Sequence, residues 1–378
     1  MAVAGDADFP NRAASKPAFP GESIRAAIFS NISAVRVSSR TNLSIADSFG
    51  ESVEPVPFSS VEIHSGSPGL SIQGRATPYS QLAVSSSDGL LQINDLLVRG
   101  TAQIFLKGDT LLVVNTLDLE DYLKGVVPVE IAPDWGDAAL KAQAVIARTY
   151  ALYQKQQNGS REYDLLATTA DQVYHGRSAE RPATDQAVAE TRGRILTFGG
   201  APILAAYHST SAGPTENAAS VWGMDLPYLQ GVSCPFDAGS PHYRWVKSLP
   251  MKVVEERFSA AGYAIGTIAG LSPYQWTPAG RVDRVRILHS GGELLIRAAD
   301  LRRILGYTEI RSTRFVVEKN GRDLRISGMG SGHGVGLCQW GAKEMAEMGY
   351  AFEKILSYYY PGTRLELYGS TPKGKDLP

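Results

Sequence analysis

The sequence predicts an α+β protein with a strand-rich first part and a mixed second part that carries a long helix. Two observations favour this class. Between Ile24 and Leu117, short runs of β-type residues are separated by Gly, Pro, Ser and Asn. After Pro133, helical and strand patterns alternate along the chain. No internal repeat is evident, which disfavours solenoids and propellers.

The composition is that of a folded globular protein. Of 378 residues, 43% are hydrophobic and 20% are charged, which disfavours disordered, collagen-like and coiled-coil classes. Lys and Arg number 37 against 38 Asp and Glu, so the net charge is −1. This balance provides no global basic field for nucleic acid or an anionic membrane. We therefore predict no nucleic-acid partner, and the lack of a run of about 20 apolar residues predicts no transmembrane segment.

The strands predicted in the first part form a meander. Their runs are Ile24–Phe29, Ala34–Val37, Leu82–Val84, Leu91–Val98, Ala102–Leu106 and Leu111–Leu117. Asp88–Gly89 and Lys107–Asp109 lie between runs, where hairpin turns are expected.

A long helix is predicted after Pro133. Asp134 and Asp137 offer N-cap oxygens, and Asn158–Gly159 supplies the stop. Apolar side chains recur between them at helical spacing, namely Leu140, Ala144, Ala147 and Ala151.

Shorter elements follow the long helix. The predicted helices are Pro182–Arg192, Met251–Ala260, Asp300–Leu305, Ala342–Met348 and Phe352–Tyr359, and the predicted strands are Arg194–Phe198, Ile203–Tyr207, Arg281–His289 and Leu294–Ile296. The chain divides on this pattern into a flexible lead-in (1–22), a strand-rich region (23–110), a mixed α/β region (111–365) with an inserted α/β subdomain at about 245–320, and a tail (366–378).

The first candidate for chemistry is Glu130, a carboxyl group in the apolar stretch Val126–Pro133. Desolvation raises a carboxyl pKa, and a raised pKa suits a general acid at neutral pH. The alternative is an exposed glutamate at a strand-to-helix junction, where it is favourable near the helix N-terminus.

The second candidate segment is Tyr207–Gly213, in which hydroxyls and an imidazole follow an apolar strand. Together with backbone N–H groups, they suit a polar cradle for carbohydrate hydroxyls or an oxyanion. An ordinary Ser/Thr-rich turn is the alternative.

The third candidate segment is the glycine-rich run Ser327–Ala342. It is not a phosphate loop, because no Gly-Lys-Ser/Thr follows and the run does not close a first βα unit. His333, flanked by glycines, indicates a close backbone approach to substrate or to a neighbouring strand. A structural histidine in a tight loop is the alternative.

Standard metal motifs are absent from the sequence. His208, Cys234 and His242 match no standard spacing, so no metal and no cofactor are predicted. Cys234 and Cys338 form at most one bridge, and buried thiols are the alternative.

Read in this order, the segments resemble the SpoIID/LytB family of cell-wall proteins, over roughly residues 90 to 365. The matching stretches are Leu119–Glu130, Ala139–Ala151, Tyr207–Gly213, Val221–Gly223, Pro227–Leu229 and Gly332–Ala342. Under this resemblance the region 111–365 is the family's catalytic domain, and the strands before it are an N-terminal extension.

The resemblance implies a lytic transglycosylase with Glu130 as the catalytic acid. It would cleave the β-1,4 bond between N-acetylmuramic acid and N-acetylglucosamine, preferably in peptide-stripped glycan strands, and leave 1,6-anhydromuramyl ends. The intramolecular nucleophile removes the need for a second carboxylate. The substrate-binding residues that the resemblance implies are Lys141, Gln143, Arg148, Tyr207, His208, Ser209, Ser211, Gly213, His333, Gly334 and Gln339. A buried ion pair is the alternative for Arg148.

The sequence departs from the family's pattern at two places. Some zinc-binding relatives carry Cys and His just before a Gln-Val-Tyr element, where this chain has Thr168–Asp171, so no metal is expected there. Cys338 stands where serine is commoner. The resemblance places the protein in the cell envelope, outside the cytoplasm, and the absence of a signal peptide then indicates a mature or trimmed chain.

Two other functions stay open. One is a non-catalytic wall-binding protein that stimulates an N-acetylmuramoyl-L-alanine amidase, which would then be a partner besides the glycan strand. The other is a cytoplasmic carbohydrate-binding protein that reuses the groove. An acid in an apolar setting favours the enzyme, because a pure binder does not need one.

Overall fold

A computed structural model describes residues 21–53 and 59–369. Most of the predicted lead-in (1–22) and most of the predicted tail (366–378) therefore lie outside the described residues. Within them, 25% helix and 36% strand are arranged in several sheets, and this mixture confirms the α+β class.

The first eleven strands and a short twelfth strand build two six-stranded sheets. The first eleven are Ser23–Ile32 (β1), Ala34–Ser38 (β2), Leu43–Ala46 (β3), Ser60–His64 (β4), Ser71–Ile72 (β5), Arg75–Ala76 (β6), Gln81–Ser86 (β7), Leu90–Ile93 (β8), Leu96–Arg99 (β9), Thr101–Lys107 (β10) and Thr110–Asp118 (β11). One sheet has the order β6-β5-β4-β2-β8-β9. The other has the order β12-β1-β11-β10-β7-β3, in which β12 is Leu165–Leu166. Alternate apolar residues of both sheets enter one shared core.

 The predicted run Leu91–Val98 is two strands, β8 and β9, and not one. Asn94 takes a positive φ of 49° in the turn between them, which is a left-handed conformation. Asn tolerates this left-handed conformation better than most residues, so the chain reverses there and Leu90–Ile93 pairs with Leu96–Arg99.

Strand β11 joins the two parts of the chain. The predicted boundary between the regions 23–110 and 111–365 falls at the start of this strand. In the structure, β11 pairs with β1 on one side and with β10 on the other. It leads directly into the first helix, so the sheet fixes the position at which that helix starts.

Eight helices lie within the described residues. They are Leu119–Glu130 (α1), Asp137–Gln157 (α2), Pro182–Glu190 (α3), Ala218–Trp222 (α4), Met251–Ala260 (α5), Ala298–Leu305 (α6), Gln339–Glu347 (α7) and Phe352–Tyr359 (α8). The predicted helix positions are close to α2, α3, α5, α6, α7 and α8.

Helix α1 is missing from the sequence prediction. Asp118 caps it, because its carboxylate accepts hydrogen bonds from the backbone N–H groups of Glu120 and Asp121. Gly125 and Pro128 lie inside it and obscure the helical pattern. Gly125 is required there because a Cβ atom would lie 2.5 Å from the ring of Tyr174.

Helix α2 begins at Asp137, with Gly136 at the N-cap position. The predicted capping by Asp134 or Asp137 is therefore wrong: no side chain caps this helix, and Asp137 is its first residue. The helix ends at the predicted stop, with Asn158 as the C-cap.

A buried ion pair joins α1 to α2. Arg148 donates from Nε and Nη2 to the two carboxylate oxygens of Glu120, at 2.8 and 2.7 Å. The same guanidinium donates to the carbonyl oxygens of Val188 and Arg194. It therefore also ties α3 and the strand that follows it to the two helices.

The remaining strands are short in the centre of the chain and longer in a separate unit. They are Arg194–Phe198 (β13), Ala201–Pro202 (β14), Tyr207–His208 (β15), Arg244–Pro250 (β16), Ile268–Trp276 (β17), Val282–His289 (β18), Gly292–Arg297 (β19), Phe315–Asn320 (β20), Asp323–Met329 (β21), Leu337–Cys338 (β22) and Arg364–Leu367 (β23).

The sheets β16-β21-β20 and β17-β18-β19 pack with α5 and α6 around a core of their own. A separate core is the physical mark of an inserted unit. We propose that this unit is the insertion expected at about 245–320, extended to the end of β21. The surrounding core is built from α2, α7, α8 and the strands near β15.

Replacement of Arg148 by Met should destabilise the protein by about 3–5 kcal/mol, because the carboxylate of Glu120 would stay buried without its partner. Thermal unfolding followed by circular dichroism measures the loss. The matched control is Lys252→Met, which breaks an exposed pair with Glu256 and should change stability by less than about 0.5 kcal/mol. Equal unfolding temperatures for the two variants would contradict this role of Arg148.

Candidate active site

A cleft of about 500 Å³ opens beside the C-terminal end of α1. Side chains from α1, α2, the segment 169–173 and β15 meet there. The residues that line it are Glu130, Tyr150, Gln154, Thr169, Ala170, Asp171, Val173, Leu204, Ala206, Tyr207, Trp222 and His333.

Glu130 is the last residue of α1, and its carboxyl group faces this cleft. Burial raises its pKa, while hydrogen bonds from the backbone N–H of Val173 and the hydroxyl of Tyr207 lower it without cancelling the effect. The Val173 nitrogen lies 3.2 Å from Oε1. The carboxyl group is therefore held in place and keeps its proton to a higher pH than an exposed glutamate does. The exposed alternative for Glu130 is thus wrong.

The hydroxyl of Tyr207 has a defined role in this arrangement. It accepts a hydrogen bond from Nε2 of Gln172 at 3.4 Å, so its own proton is available to the carboxyl group of Glu130. Burial, followed by the nearby Glu130, raises the pKa of Tyr207 well above its usual value. Tyr207 therefore stays a neutral donor.

Gln339 anchors the end of α1 from the far end of the sequence. Its Nε2 donates to the carbonyl oxygen of Glu130 at 3.1 Å and to Oε1 of Gln143 at 3.3 Å. Both glutamine side chains are buried. They support the backbone below the cleft, and neither lines it.

His333 lines the cleft as a neutral imidazole. Burial and the nearby Arg302 and Arg281 lower its pKa to about 4. Its Nδ1 accepts from the backbone N–H of Val335 at 3.0 Å, so the proton is on Nε2. The ring lies 5.0 Å from that of Trp222, centroid to centroid.

His208 lies behind His333 and is buried. Its Nδ1 is 3.1 Å from the carbonyl oxygen of Val335, which only accepts, so Nδ1 carries the proton and Nε2 accepts from the hydroxyl of Ser211. Burial lowers the pKa of His208 well below its usual value. It is a neutral structural residue, not a lining one.

The rest of the 209–213 segment supports the loop. The backbone N–H groups of Ser211 and Ala212 both donate to Oδ2 of Asp237 at 2.7 Å. The hydroxyl of Ser209 is 3.2 Å from that of Thr210. Gly213 has a φ of 134°, and a Cβ atom there would lie 1.9 Å from the guanidinium of Arg314. None of these residues lines the cleft.

Three further predicted residues also lie away from the cleft. Lys141 pairs with Asp137 at 2.6 Å and with Glu190 at 2.5 Å. Arg148 is in the buried ion pair described above, which was the alternative expected for it. Gly334 packs against the guanidinium of Arg281, where a Cβ atom would lie 2.6 Å from Cζ. Of the predicted set, the structure brings together Glu130, Tyr207 and His333 in the cleft.

Asp171 is a cleft residue that the sequence did not single out. Its Oδ1 accepts from the hydroxyl of Tyr150 at 2.8 Å and from Nε2 of Gln154 at 3.1 Å, and its Oδ2 accepts from the backbone N–H of Leu166. A sequence signal for this residue existed, because Asp171 lies in the segment Thr168–His175 that differs from the zinc-binding relatives. Its place in the same cleft as Glu130 depends on the tertiary fold.

Within the described ranges, one group of side chains could hold a metal ion by donor type, namely Cys234, Asp237 and Cys338. It is buried below the 209–213 loop and does not line the cleft. The alternative grouping of His208 and His242 with Cys234 is not formed, since His208 bonds to Val335 and Ser211 and His242 lies against Arg311.

Comparison with known proteins identifies the family. Residues 107–198 match the family model SpoIID, described as Stage II sporulation protein. The chain is 34% identical to Stage II sporulation protein D of Bacillus subtilis over 67% of this chain and 75% of that protein. The chain belongs to the SpoIID family. Residues 234–336 match a second family, described as a domain of unknown function.

Two other relatives of this SpoIID-family chain are informative. An uncharacterized protein of Brachyspira hyodysenteriae is 32% identical over 81% of this chain and 82% of its own length. The Amidase enhancer of Bacillus subtilis is 32% identical over 65% of this chain, which covers 40% of that protein. The resemblance expected from the sequence is confirmed, and the family is related to the cell wall. No helix in the described part of the chain is long and apolar enough to cross a membrane.

Replacement of Glu130 by Gln should stabilise the protein at neutral pH. The folded-state pKa of Glu130 is raised, so its charged form costs stability above that pKa, and the cost vanishes below the unfolded pKa of about 4.3. The variant should melt above the parent at pH 7, and the difference should shrink as the pH falls toward 4. A gain that is the same at both pH values would contradict burial as its cause.

Proposed function

We propose that the protein is a peptidoglycan lytic transglycosylase, with Glu130 as its general acid and base. The observation that carries this proposal is a carboxyl group at the wall of a cleft whose pKa is raised by burial. A general acid must hold its proton at the working pH, and burial shifts the pKa of Glu130 in that direction. Membership of a cell-wall-related family supports the substrate class.

The reaction needs one carboxyl group in two successive roles. Glu130 donates its proton to the glycosidic oxygen as the bond to the anomeric carbon of N-acetylmuramic acid breaks. As a carboxylate it then takes the proton of the 6-hydroxyl of the same sugar, whose oxygen bonds to the anomeric carbon. The products are a 1,6-anhydromuramyl end and a free N-acetylglucosamine 4-hydroxyl. No water is consumed, and Glu130 ends protonated as it began.

The surroundings of Asp171 favour ring closure over hydrolysis. An ordinary glycosidase needs a second carboxylate, either as nucleophile or to activate a water. Asp171 is the other carboxylate lining the cleft, and three donors already bond to its two oxygens. It is therefore poorly placed to act as a base. The 6-hydroxyl of the sugar supplies the nucleophile instead.

The rest of the cleft is uncharged and suits a sugar. His333 is neutral, and Trp222 presents a partly exposed ring beside it. A flat aromatic face suits the apolar face of a sugar ring, while Tyr150 and Tyr207 offer hydroxyl groups. We propose that peptidoglycan glycan strands occupy this cleft outside the cytoplasm.

A second candidate function is stimulation of an N-acetylmuramoyl-L-alanine amidase without catalysis. The relative named Amidase enhancer favours it. An amidase would then be the protein partner, and the cleft would bind glycan without cutting it.

Replacement of Glu130 by Gln should reduce cleavage of peptide-free glycan strands by about 10²–10⁴-fold, because the acid is lost while the side-chain volume is kept. Mass analysis of the products measures it, and 1,6-anhydromuramyl ends are expected from the parent. Asp171→Asn is the matched control, since it changes the other cleft carboxylate and should still give anhydromuramyl ends.

Three results would contradict this assignment. Reducing ends that disappear in Asp171→Asn would indicate hydrolysis with Asp171 as the base. Equal cleavage by the parent and Glu130→Gln would exclude Glu130 as the acid. Binding of strands by both proteins without cleavage would favour the amidase enhancer.

Replacement of Tyr207 by Phe should move the alkaline limb of kcat/KM to higher pH. The hydroxyl of Tyr207 lowers the pKa of Glu130, so its loss raises that pKa and extends the pH range in which the acid is protonated. The pH profile of glycan cleavage measures the shift. Tyr150→Phe is the control, because its hydroxyl donates to Asp171 and should leave the limb in place. A shift to lower pH in Tyr207→Phe would contradict the hydrogen bond.

A further inference from the structure

The two cysteines of the chain lie together in the interior. Cys234 and Cys338 are both buried, and their sulfur atoms lie within 4.8 Å of each other and of a carboxylate oxygen of Asp237. They come from segments roughly 100 residues apart. No other cysteine exists with which either of them could pair within the chain.

Their positions bracket the inserted unit. The second family match covers residues 234–336, so Cys234 stands where the chain enters this region and Cys338 just after it leaves. The unit between them has its own core. A bond between the two sulfurs would therefore join the two chain crossings at the base of the unit.

We propose that Cys234 and Cys338 form a disulfide bond in the mature protein. The location outside the cytoplasm that belongs to the proposed function favours it, because disulfides persist in oxidising compartments. The two thiols lose two protons and two electrons, and a small-molecule disulfide such as oxidised glutathione takes them up and becomes two thiols. Since both sulfurs are buried in the folded chain, the exchange takes place while the segment around Cys234 is still open during folding.

The neighbouring groups tolerate this bond. Sγ of Cys338 lies 3.3 Å from Oδ2 of Asp237, and bridging removes the thiol proton from that contact. The same oxygen keeps two backbone donors at 2.7 Å, from Ser211 and Ala212. The carboxylate of Asp237 therefore remains hydrogen-bonded without the thiol.

The bond would also fix the floor of the cleft. Cys338 directly precedes Gln339, whose side chain holds the carbonyl oxygen of Glu130. Its strand pairs with β15, so that Cys338 lies opposite His208. A cross-link that closes a loop of about 100 residues restricts the unfolded chain strongly. The disulfide therefore stabilises both the attachment of the inserted unit and the support of Glu130.

Thiol labelling of the full chain tests the proposal. The protein is refolded in a glutathione redox buffer and then denatured in the presence of N-ethylmaleimide, which alkylates free thiols. Its mass is measured by intact mass spectrometry. We expect no adduct on the parent before reduction and two adducts after it. The variants Cys234→Ser and Cys338→Ser each keep a single cysteine, which cannot form the internal bond. Reduction should lower the melting temperature of the parent by roughly 5 °C. It should leave that of the Cys234→Ser/Cys338→Ser variant unchanged.

Two outcomes would overturn the proposal. Two adducts on the unreduced parent would show that both thiols stay free. Two adducts together with one equivalent of bound zinc in the native protein would show that Cys234, Asp237 and Cys338 form a metal site instead. The mass readout on the parent requires no variant to fold. It is also independent of glycan cleavage, so its failure is distinguishable from failure of the proposed function.

Discussion

The buried ion pair between Arg148 and Glu120 fixes the geometry on which the rest of the structure depends. It locks α1 against α2 through two short hydrogen bonds and binds carbonyl groups of two further elements. Glu130 is at the other end of α1. Because a helix is rigid over this length, anchoring its first turn also determines where the carboxyl group at its last residue lies. A guanidinium that is buried far from the cleft thus contributes to the geometry of the cleft.

Burial is the property that gives this site its character. It raises the pKa of Glu130 and of Tyr207 and lowers that of His333, so burial shifts each of the three groups toward its neutral form. In each case the charged form loses hydration that the surrounding protein does not replace. A site built in this way places a carboxyl group with a raised pKa beside neutral hydrogen-bond donors. These properties suit protonation of a neutral sugar oxygen better than recognition of a strongly charged ligand.

Much of the fold was predictable because its signals are local. The helical spacing in α2, the glycine and proline stops that follow α5 and α8, and the alternation in β18 each depend on neighbours a few residues away. Helix α1 was missed because Gly125 and Pro128 weaken its local pattern. Its tertiary contacts and the cap by Asp118 outweigh that weakness. The long run Leu91–Val98 was misread because the turn at Asn94 requires no glycine or proline.

The sequence by itself determined the fold class, most helices, the family and Glu130 as the candidate acid. Only the tertiary structure decided which residues surround that acid. Val173 is 43 positions from Glu130 and Gln339 is 209 positions away, so no local pattern relates them. The same holds for the place of Asp171 in the cleft and for the proximity of Cys234 to Cys338. Desolvation and hydrogen bonding depend on distance in space, whereas periodicity and capping depend on distance along the chain.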